Sequence, residues 1–208
     1  MKKVSIILSF TFIIIFLCGC LTTLHPIFTE NDLAYDPKLV GKWQTESNGN
    51  KNWAVITNLA SSTSIDLPGN ISSIKDKGYL VSYQNDDGKV SERYIAFLAR
   101  IGKHLYFDYY PAEIKNDNNI DDFFKSHFIK MHSSYRVEIV ANGSFVLSRL
   151  DENFVTKLIN EKKIRISHET NADDNMVITA STKELQQYLL KYGDEPEAYR
   201  NEKTTFTK

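Results

Sequence analysis

The chain contains very little cysteine. Its 208 residues include only two, Cys18 and Cys20, and both lie within the first 20 positions. The rest of the chain therefore has no thiol for a disulfide bond or for nucleophilic catalysis. Its stability has to come from packing, for which 11 tyrosines and the nine phenylalanines that follow position 20 supply a large apolar area.

Phosphate-binding loops and a surplus of positive charge are also missing. The nine glycines form no phosphate-binding loop, and no Gly-x-Ser-x-Gly nucleophile motif occurs. The 25 basic and 26 acidic residues nearly balance, and there is no basic block in the body of the chain beyond Lys162-Lys163. We therefore expect no nucleic-acid partner.

The five histidines do not show the spacing of a metal site. A zinc site typically has two ligands three or four residues apart on a helix, or at alternate strand positions. His127 and His132 are instead five apart, with no cysteine nearby. We expect exposed or hydrogen-bonded histidines, and neither a metal nor a cofactor. The five are His25, His104, His127, His132 and His168.

Hydroxyl and carboxylate groups form no complete catalytic motif either. Ser72 and Lys75 match Ser-x-x-Lys, but the two partner motifs of penicillin-interacting enzymes are absent. Asp108 and Glu113 are candidates for an acid–base pair, although exposed or hydrogen-bonded carboxylates explain them better. Three aspartates of one polar loop lack the alternation and central glycine of a calcium loop. They are Asp117, Asp121 and Asp122. A role other than that of an enzyme is favoured.

The one long apolar run lies at the N-terminus. It covers the 14 residues from Val4 to Leu17 and follows Lys2-Lys3, as the core of an export signal does. A membrane span needs about 20 residues. Extension to Leu21 gives 18, so an uncleaved membrane helix is one alternative and an ordinary secretory signal is another. The segment Leu17-Cys18-Gly19-Cys20 resembles the lipobox of bacterial lipoproteins.

That resemblance implies a lipid anchor on Cys20. A dedicated peptidase would remove residues 1–19, and the sulfur and the new amine of Cys20 would both be acylated. Two or three acyl chains make membrane attachment effectively permanent. Loss of Lys2 and Lys3 leaves 23 basic against 26 acidic residues, a net charge of −3. Leu21 stands where enteric lipoproteins retained in the inner membrane carry Asp, which implies the periplasmic face of the outer membrane; the inner membrane is the alternative.

The remaining chain is interpreted as one domain. We expect a signal peptide at 1–19, a lipidated cysteine and tether at 20–38, and a single globular domain at 39–208. Thr22, Thr23, Pro26 and Pro37 disfavour regular structure in the tether.

Strands are predicted in much of this domain, because apolar and polar residues alternate, as at Tyr79, Val81 and Tyr83. Gly102-Lys103 and Asn142-Gly143 are hairpin turns by their composition.

Two helices are predicted near the C-terminus. Asp151 is positioned to cap the first, and Ser181-Thr-Lys-Glu184 is a capping box for the second. Short strands are expected between them at 164–168 and 176–180. The predicted class is α+β, with a largely antiparallel sheet and the two helices packed on it. The pattern leaves open whether that sheet is strongly curved or barrel-like.

Two further segments resemble known families. Gly41-Lys-Trp43 resembles the Gly-x-Trp motif of lipocalins, in which the tryptophan packs across the closed end of a β-barrel. An ordinary core tryptophan is the alternative. The segment from Pro26 to Trp43, together with His132-Ser133 and Thr179–Gln186, resembles a family of uncharacterised bacterial lipoproteins with no assigned activity. That second resemblance implies no catalytic or ligand-binding residues, and only Cys20 takes a role from it.

Three functions are compatible with these observations. The first is a non-catalytic envelope lipoprotein that binds a partner protein or supports envelope structure. The second is a lipocalin-like binder of a small hydrophobic ligand, suggested by Gly41 and Trp43 and by the aromatic strands. The third is an envelope hydrolase, suggested only by the compartment and the many carboxylates.

Overall fold

The computed structural model describes most of the chain that follows Cys20. The predictions for the leader, Cys20, His127, Asn142 and the aspartates at 117–122 fall outside the described residues. None of the helices described is both long enough and apolar enough to cross a bilayer. The described ranges are 21–47, 49–63, 65–84, 88–114, 129–140, 143–171 and 175–208.

Eight antiparallel strands form a closed barrel in which each strand pairs with its neighbours in the chain. The last strand, β8, pairs with both β7 and β1 and so closes the barrel. The strands are β1 (Gly41–Ser47), β2 (Asn50–Asn58), β3 (Gly78–Gln84), β4 (Val90–Ile101), β5 (His104–Pro111), β6 (Ser133–Ile139), β7 (Phe145–Leu150) and β8 (Tyr199–Thr207).

Side chains at alternate positions fill the closed half of the barrel. Residues Leu105, Phe107 and Tyr109 of β5 point inward, because successive strand residues face opposite sides of a sheet. Both faces of β4 are buried. Ala96 and Leu98 lie inside the barrel, while Ile95 and Phe97 face outward and pack in a separate apolar cluster outside it. The hairpin at Gly102-Lys103 is confirmed, with Gly102 at a φ of +60°.

The segment that leads into β1 covers the closed end. Trp43 is fully buried there, and its indole nitrogen donates a 2.9 Å hydrogen bond to the carbonyl oxygen of Leu39. The ring of Tyr35 stacks on Tyr79 at 4.9 Å. The tryptophan therefore lies where the lipocalin resemblance implies, at the closed end of a barrel.

Two helices pack on the outer face of the barrel. They are α1 (Glu152–Asn160) and α2 (Thr182–Tyr192). Both predicted caps are confirmed: Asp151 accepts from the backbone N–H of Asn153, and Ser181 and Glu184 form a reciprocal capping box. The apolar faces of the helices bury an outer cluster with strand residues such as Tyr106, Leu150 and Tyr199.

Short elements complete the structure. Strands at Thr22–Thr23, Met176–Ile178 and His168–Thr170 form a small sheet beside the helices, and Ile65–Asp66 pairs with Glu113–Ile114. A single α-helical turn covers Gly69–Ser72. The 3-10 turns are Glu30–Asp32, Pro37–Leu39, Leu59–Ser61, Lys75–Lys77 and Pro196–Ala198.

The predicted α+β class fits broadly, but the sheet is a closed barrel rather than an open curved sheet. Strand β8 was not predicted, and the strand expected at 164–168 begins only at His168. Ordered structure also begins earlier than expected. Leu21 and Ile27 are buried in the outer cluster, and Gln186 of α2 donates to the carbonyl oxygen of Ile27. Hydrogen bonds from the domain thus hold in place the segment interpreted as a tether.

Candidate ligand-binding site

The barrel is filled at its closed end and hollow at the other. The cavity, called the cup here, has a volume of about 360 Å³. It lies at the open end, where β1 and β3 end and β2 and β4 begin. Of its lining residues only Leu147 is aliphatic. The lining is Thr45, Asn52, Tyr83, Gln84, Ser91, Glu92, Tyr94, Tyr109, Ser133, Tyr135, Leu147, Arg149 and Thr204.

Four tyrosines dominate the wall of the cup. Tyr109 lies between the rings of Tyr94 and Tyr135, with centroids 5.7 and 5.2 Å away. Tyr83 meets Tyr94 edge-on at 6.2 Å. Edge-to-face contacts of this kind hold aromatic rings in defined orientations. The four rings therefore present a preformed aromatic surface to the cavity.

Tyr109 forms the floor of the cup. Its ring also contacts Phe107 at 5.7 Å, which connects the cup to the aromatic core of the closed end. The hydroxyl of Tyr109 is buried, and among the described residues it has no well-aligned hydrogen-bond partner. The side chain of Tyr83 approaches this hydroxyl and, after burial, contributes to the rise in the pKa of Tyr109.

Burial raises the pKa of these phenols. Loss of solvent is the main cause at Tyr83, Tyr94 and Tyr109; Glu92 raises the pKa of Tyr94 further, and Tyr83 does the same at Tyr109. The hydroxyls therefore remain protonated near neutral pH. A protonated phenol both donates and accepts a hydrogen bond.

Arg149 is the basic residue in the wall of the cup. It lies directly opposite Tyr135 in the β6–β7 pair and donates a 2.7 Å hydrogen bond to that hydroxyl. Its guanidinium also lies 5.3 Å from the Tyr135 ring. Glu92 accepts a 2.8 Å hydrogen bond from the hydroxyl of Tyr94. Among the described residues that line it, the cup thus presents one cationic and one anionic side chain beside its phenols.

A second cavity adjoins the cup along β8. It has a volume of about 200 Å³, and Tyr135, Leu147, Arg149 and Thr204 line both spaces. Arg200 and Glu202 of β8 form the rest of its wall. Both side chains point into the barrel, and they alternate along β8 with residues that face outward.

Asp108, one of the two carboxylates considered for an acid–base pair, is a hydrogen-bonded carboxylate, which is the alternative that the sequence favoured. Asp108 faces outward from the barrel and is buried, where it accepts from the backbone N–H of Ile27 at 2.9 Å and contacts His132 Nδ1 at 2.5 Å. Ser134 lies directly across from Asp108 in the β5–β6 pair. Its hydroxyl is buried and makes no hydrogen bond within the described residues. The Asp, His and Ser side chains therefore do not form a nucleophilic triad.

The other candidate residues lie apart from one another. His104 pairs with exposed Asp194 at 2.7 Å, and His168 Nδ1 lies 2.8 Å from the carbonyl oxygen of Ile166. His25, Ser72 and Lys75 are exposed. No three His, Cys, Asp or Glu side chains converge on a metal position within the ranges that the structure describes.

Sequence reasoning did not identify the cup. The inward alternation at Tyr79, Val81 and Tyr83, and that of β5, was a usable signal for part of its wall. No local pattern indicated Arg149, because its neighbours across the barrel come from distant parts of the chain.

Comparison with known proteins gave no match: no family model, no characterised protein and no solved structure is significantly similar to this chain. The arguments for function consequently rest on the residues of the chain and on the geometry of the barrel.

Proposed function

We propose that this protein is a non-catalytic lipoprotein of the bacterial envelope that holds a small ligand in the open end of its barrel. The observation that carries the proposal is the cup, with its four tyrosines, Arg149 and the unpaired hydroxyl of Tyr109. Ligand sites are commonly concave spaces of about 300–1,000 Å³ with a few convergent polar groups. The cup falls within that range.

The unpaired hydroxyl supports binding rather than a purely structural cavity. A buried hydroxyl without a partner costs about 1–3 kcal/mol. A ligand that accepts or donates a hydrogen bond at Tyr109 would remove this cost. The barrel therefore gives up some stability at the position where a ligand would gain affinity.

The lining indicates the class of ligand. Tyrosine faces favour a flat ring or the apolar face of a sugar, and Arg149 and the phenols favour polar or anionic groups. A wholly apolar ligand would remove solvent from the phenol hydroxyls and from Arg149 without offering them a hydrogen bond of its own. The proposed ligand is therefore small and amphipathic, and it differs in this respect from the hydrophobic ligand that the sequence analysis gave as an alternative function.

The membrane anchor belongs to the same proposal and rests on the lipobox ending at Cys20. The location that the sequence favours is the periplasmic face of the outer membrane, with the inner membrane as the alternative. Cys20→Ala should leave an unprocessed precursor and abolish incorporation of labelled palmitate. Processing and labelling like those of the wild type would refute the anchor without affecting the argument for the cup.

Filling the cup tests the binding function. Thr204 lines the cup, whereas Thr205, its neighbour in β8, faces outward and is equally half-exposed. Residues 21–208 would be exported without acyl chains, purified without detergent and examined by native mass spectrometry. The wild type and Thr205→Trp should carry a bound small molecule, and Thr204→Trp should lose it.

Circular dichroism of the two variants separates blocked binding from misfolding. The proposal predicts folded spectra for both and a loss of ligand only for Thr204→Trp. Equal ligand content in the two variants, or protein without any ligand in all three, would exclude the cup as a binding site.

A further inference from the structure

The residues that follow the proposed anchor lie beside the open end of the barrel. The backbone N–H of Thr23 donates to the carbonyl oxygen of His132 at 3.0 Å, and the N–H of His132 donates back at 2.8 Å. The next residue, Ser133, begins β6 and lines the cup. Thr23 is therefore located at the level of the open end.

Leu21 is fixed at the same end. Its side chain is buried in the outer cluster and shares a small apolar cavity with Leu150 and Val155. Leu150 ends β7 and directly follows Arg149, a wall residue of the cup. Both contacts that locate residues 21–23 thus involve strand ends around the open end.

No residue separates these contacts from Cys20, because Leu21 follows it directly in the sequence. Thr22 and Thr23 pair with Val177 and Ile178, and the N–H of Leu24 donates to Ile178. Consecutive Cα atoms are about 3.8 Å apart, so the anchor residue lies within one peptide step of buried Leu21. A long flexible tether would permit any orientation on the membrane, but one peptide step does not.

Exposed apolar side chains alone do not select the membrane-facing end. Ile129 is 71% exposed, and its neighbour Lys130 lies over the ring of Tyr110 near the open end of β5; Leu24, which follows Thr23, is 36% exposed. Ile139 and Val140 are also exposed, at the closed end. The position of the anchor decides between the two ends, and it selects the end that carries Ile129 and Leu24.

We infer that the open end of the barrel docks on the headgroup layer of the bilayer that holds the acyl chains of Cys20. This inference rests on the proposed anchor. In this orientation Ile129 and Leu24 contact the membrane interface and the cup opens toward the lipid headgroups. The ligand of the cup is then the polar head of a membrane amphiphile, which agrees with the tyrosine and arginine lining.

Single-cysteine labelling tests the orientation. An acylated Cys20 leaves the mature chain without a free thiol, so an engineered cysteine is the only labelling site. Ile129→Cys places a fluorophore at the open end, and Val140→Cys places one at an exposed apolar position of the closed end. The full lipoprotein would be reconstituted into vesicles that contain nitroxide-labelled phospholipids.

We expect strong quenching of the fluorophore at position 129 and only background quenching at position 140. Equal quenching at the two positions, or stronger quenching at position 140, would overturn the inference. Vesicle flotation reports attachment independently. Protein that does not float would refute the anchor and the orientation together, whereas floating protein without quenching at position 129 would refute the orientation alone.

A spacer between Cys20 and Leu21 tests whether the short connection sets the orientation on the membrane. Insertion of a flexible segment of 12 glycines and serines between Cys20 and Leu21 adds an average reach of about 20 Å. The protein should still float with the vesicles, while quenching at position 129 should fall to the level at position 140. Unchanged quenching at position 129 would show that the short connection does not set the orientation.

Discussion

Asp108 and Tyr109 are consecutive residues of β5 that face opposite sides of the barrel wall. The carboxylate of Asp108 holds the N-terminal segment through Ile27 and contacts His132 outside the barrel. The ring of Tyr109 forms the floor of the cup inside it. Strand β5 therefore connects the segment that follows the proposed anchor with the proposed ligand site. Substitutions at Asp108 test the attachment of that segment, and substitutions at Tyr109 test ligand binding.

Tyr109→Phe should stabilise the protein while it weakens ligand binding. The substitution removes a buried hydroxyl without a good partner, so the free energy of unfolding should rise by about 1–3 kcal/mol. The fraction of ligand-bound protein in native mass spectra should fall. Tyr188→Phe is the matched control, because the Tyr188 hydroxyl is also buried and unpaired within the described residues but lies in the outer cluster. It should stabilise without any effect on the ligand. A parallel loss of ligand in both variants would contradict the role of Tyr109.

Asp108→Asn should destabilise the protein and loosen its N-terminal segment. Hydrogen bonds to a charged group contribute about 1.5–3 kcal/mol, and the amide cannot accept from both Ile27 and His132 as the carboxylate does. Urea unfolding should show a loss of this order, and hydrogen exchange should accelerate in residues 21–32. Asp194→Asn removes the carboxylate of the other Asp–His pair, which is exposed, and should change stability far less. Similar losses in the two variants would argue against a special contribution of Asp108.

Trp43→Phe should lower stability much more than Trp53→Phe. Trp43 is fully buried, and its replacement leaves a cavity and the Leu39 carbonyl without its donor, at a cost of about 2–4 kcal/mol. Trp53, in the adjacent strand, is half-buried, with Lys42 Nζ 4.5 Å from its ring centre. Its replacement should cost about 1 kcal/mol or less. Chemical denaturation followed by circular dichroism measures both, and equal costs would contradict the placement of Trp43 at the closed end.

The capping box of α2 should make a pH-dependent contribution to stability. Hydrogen bonds from the side chain and backbone of Ser181 lower the pKa of Glu184 below its ordinary value. A carboxyl group with a lower pKa in the folded state stabilises the protein above its unfolded pKa, and this contribution disappears as the pH falls through the folded pKa. Glu184→Gln should therefore lower Tm at pH 7, and the difference from the wild type should shrink toward pH 3. A difference that stays constant over this range would exclude a charge contribution.

Local features of this fold could be predicted from the sequence because neighbouring residues encode them. The capping box at Ser181–Glu184 and the turn at Gly102-Lys103 depend on contacts within a few residues. The inward alternation of Leu105, Phe107 and Tyr109 is likewise a local property of a strand with two chemically different faces.

Closure of the barrel could not be predicted in the same way. The first half of strand β8 contains charged residues on both faces, including Arg200, Glu202 and Lys203, and the residues typical of strands, apart from Tyr199, lie in its second half. The charged residues are tolerated because Arg200 and Glu202 line a solvent-connected cavity rather than a packed core. Without β8 the remaining strands predict an open sheet.

Contacts between residues that are distant in the chain could not be predicted from the sequence either. Asp108 and His132 are far apart in the chain and meet only because β5 and β6 are adjacent. The same is true of the packing around Leu21 and Ile27, where prolines and threonines suggested a tether but buried apolar side chains hold the segment.

The position of β8 between β1 and β7 also determines when the barrel can form. Phe206 lies opposite Thr45 on one side and Phe145 on the other, so the two ends of the domain must meet before either neighbouring strand is fully paired. A nascent polypeptide cannot complete this step until Tyr199–Thr207 is free to pair, and contacts between such distant segments form slowly. Until then the unpaired edges of β1 and β7 are exposed to other chains. A holding chaperone would therefore be most valuable to this protein in the interval before β8 pairs with β1 and β7.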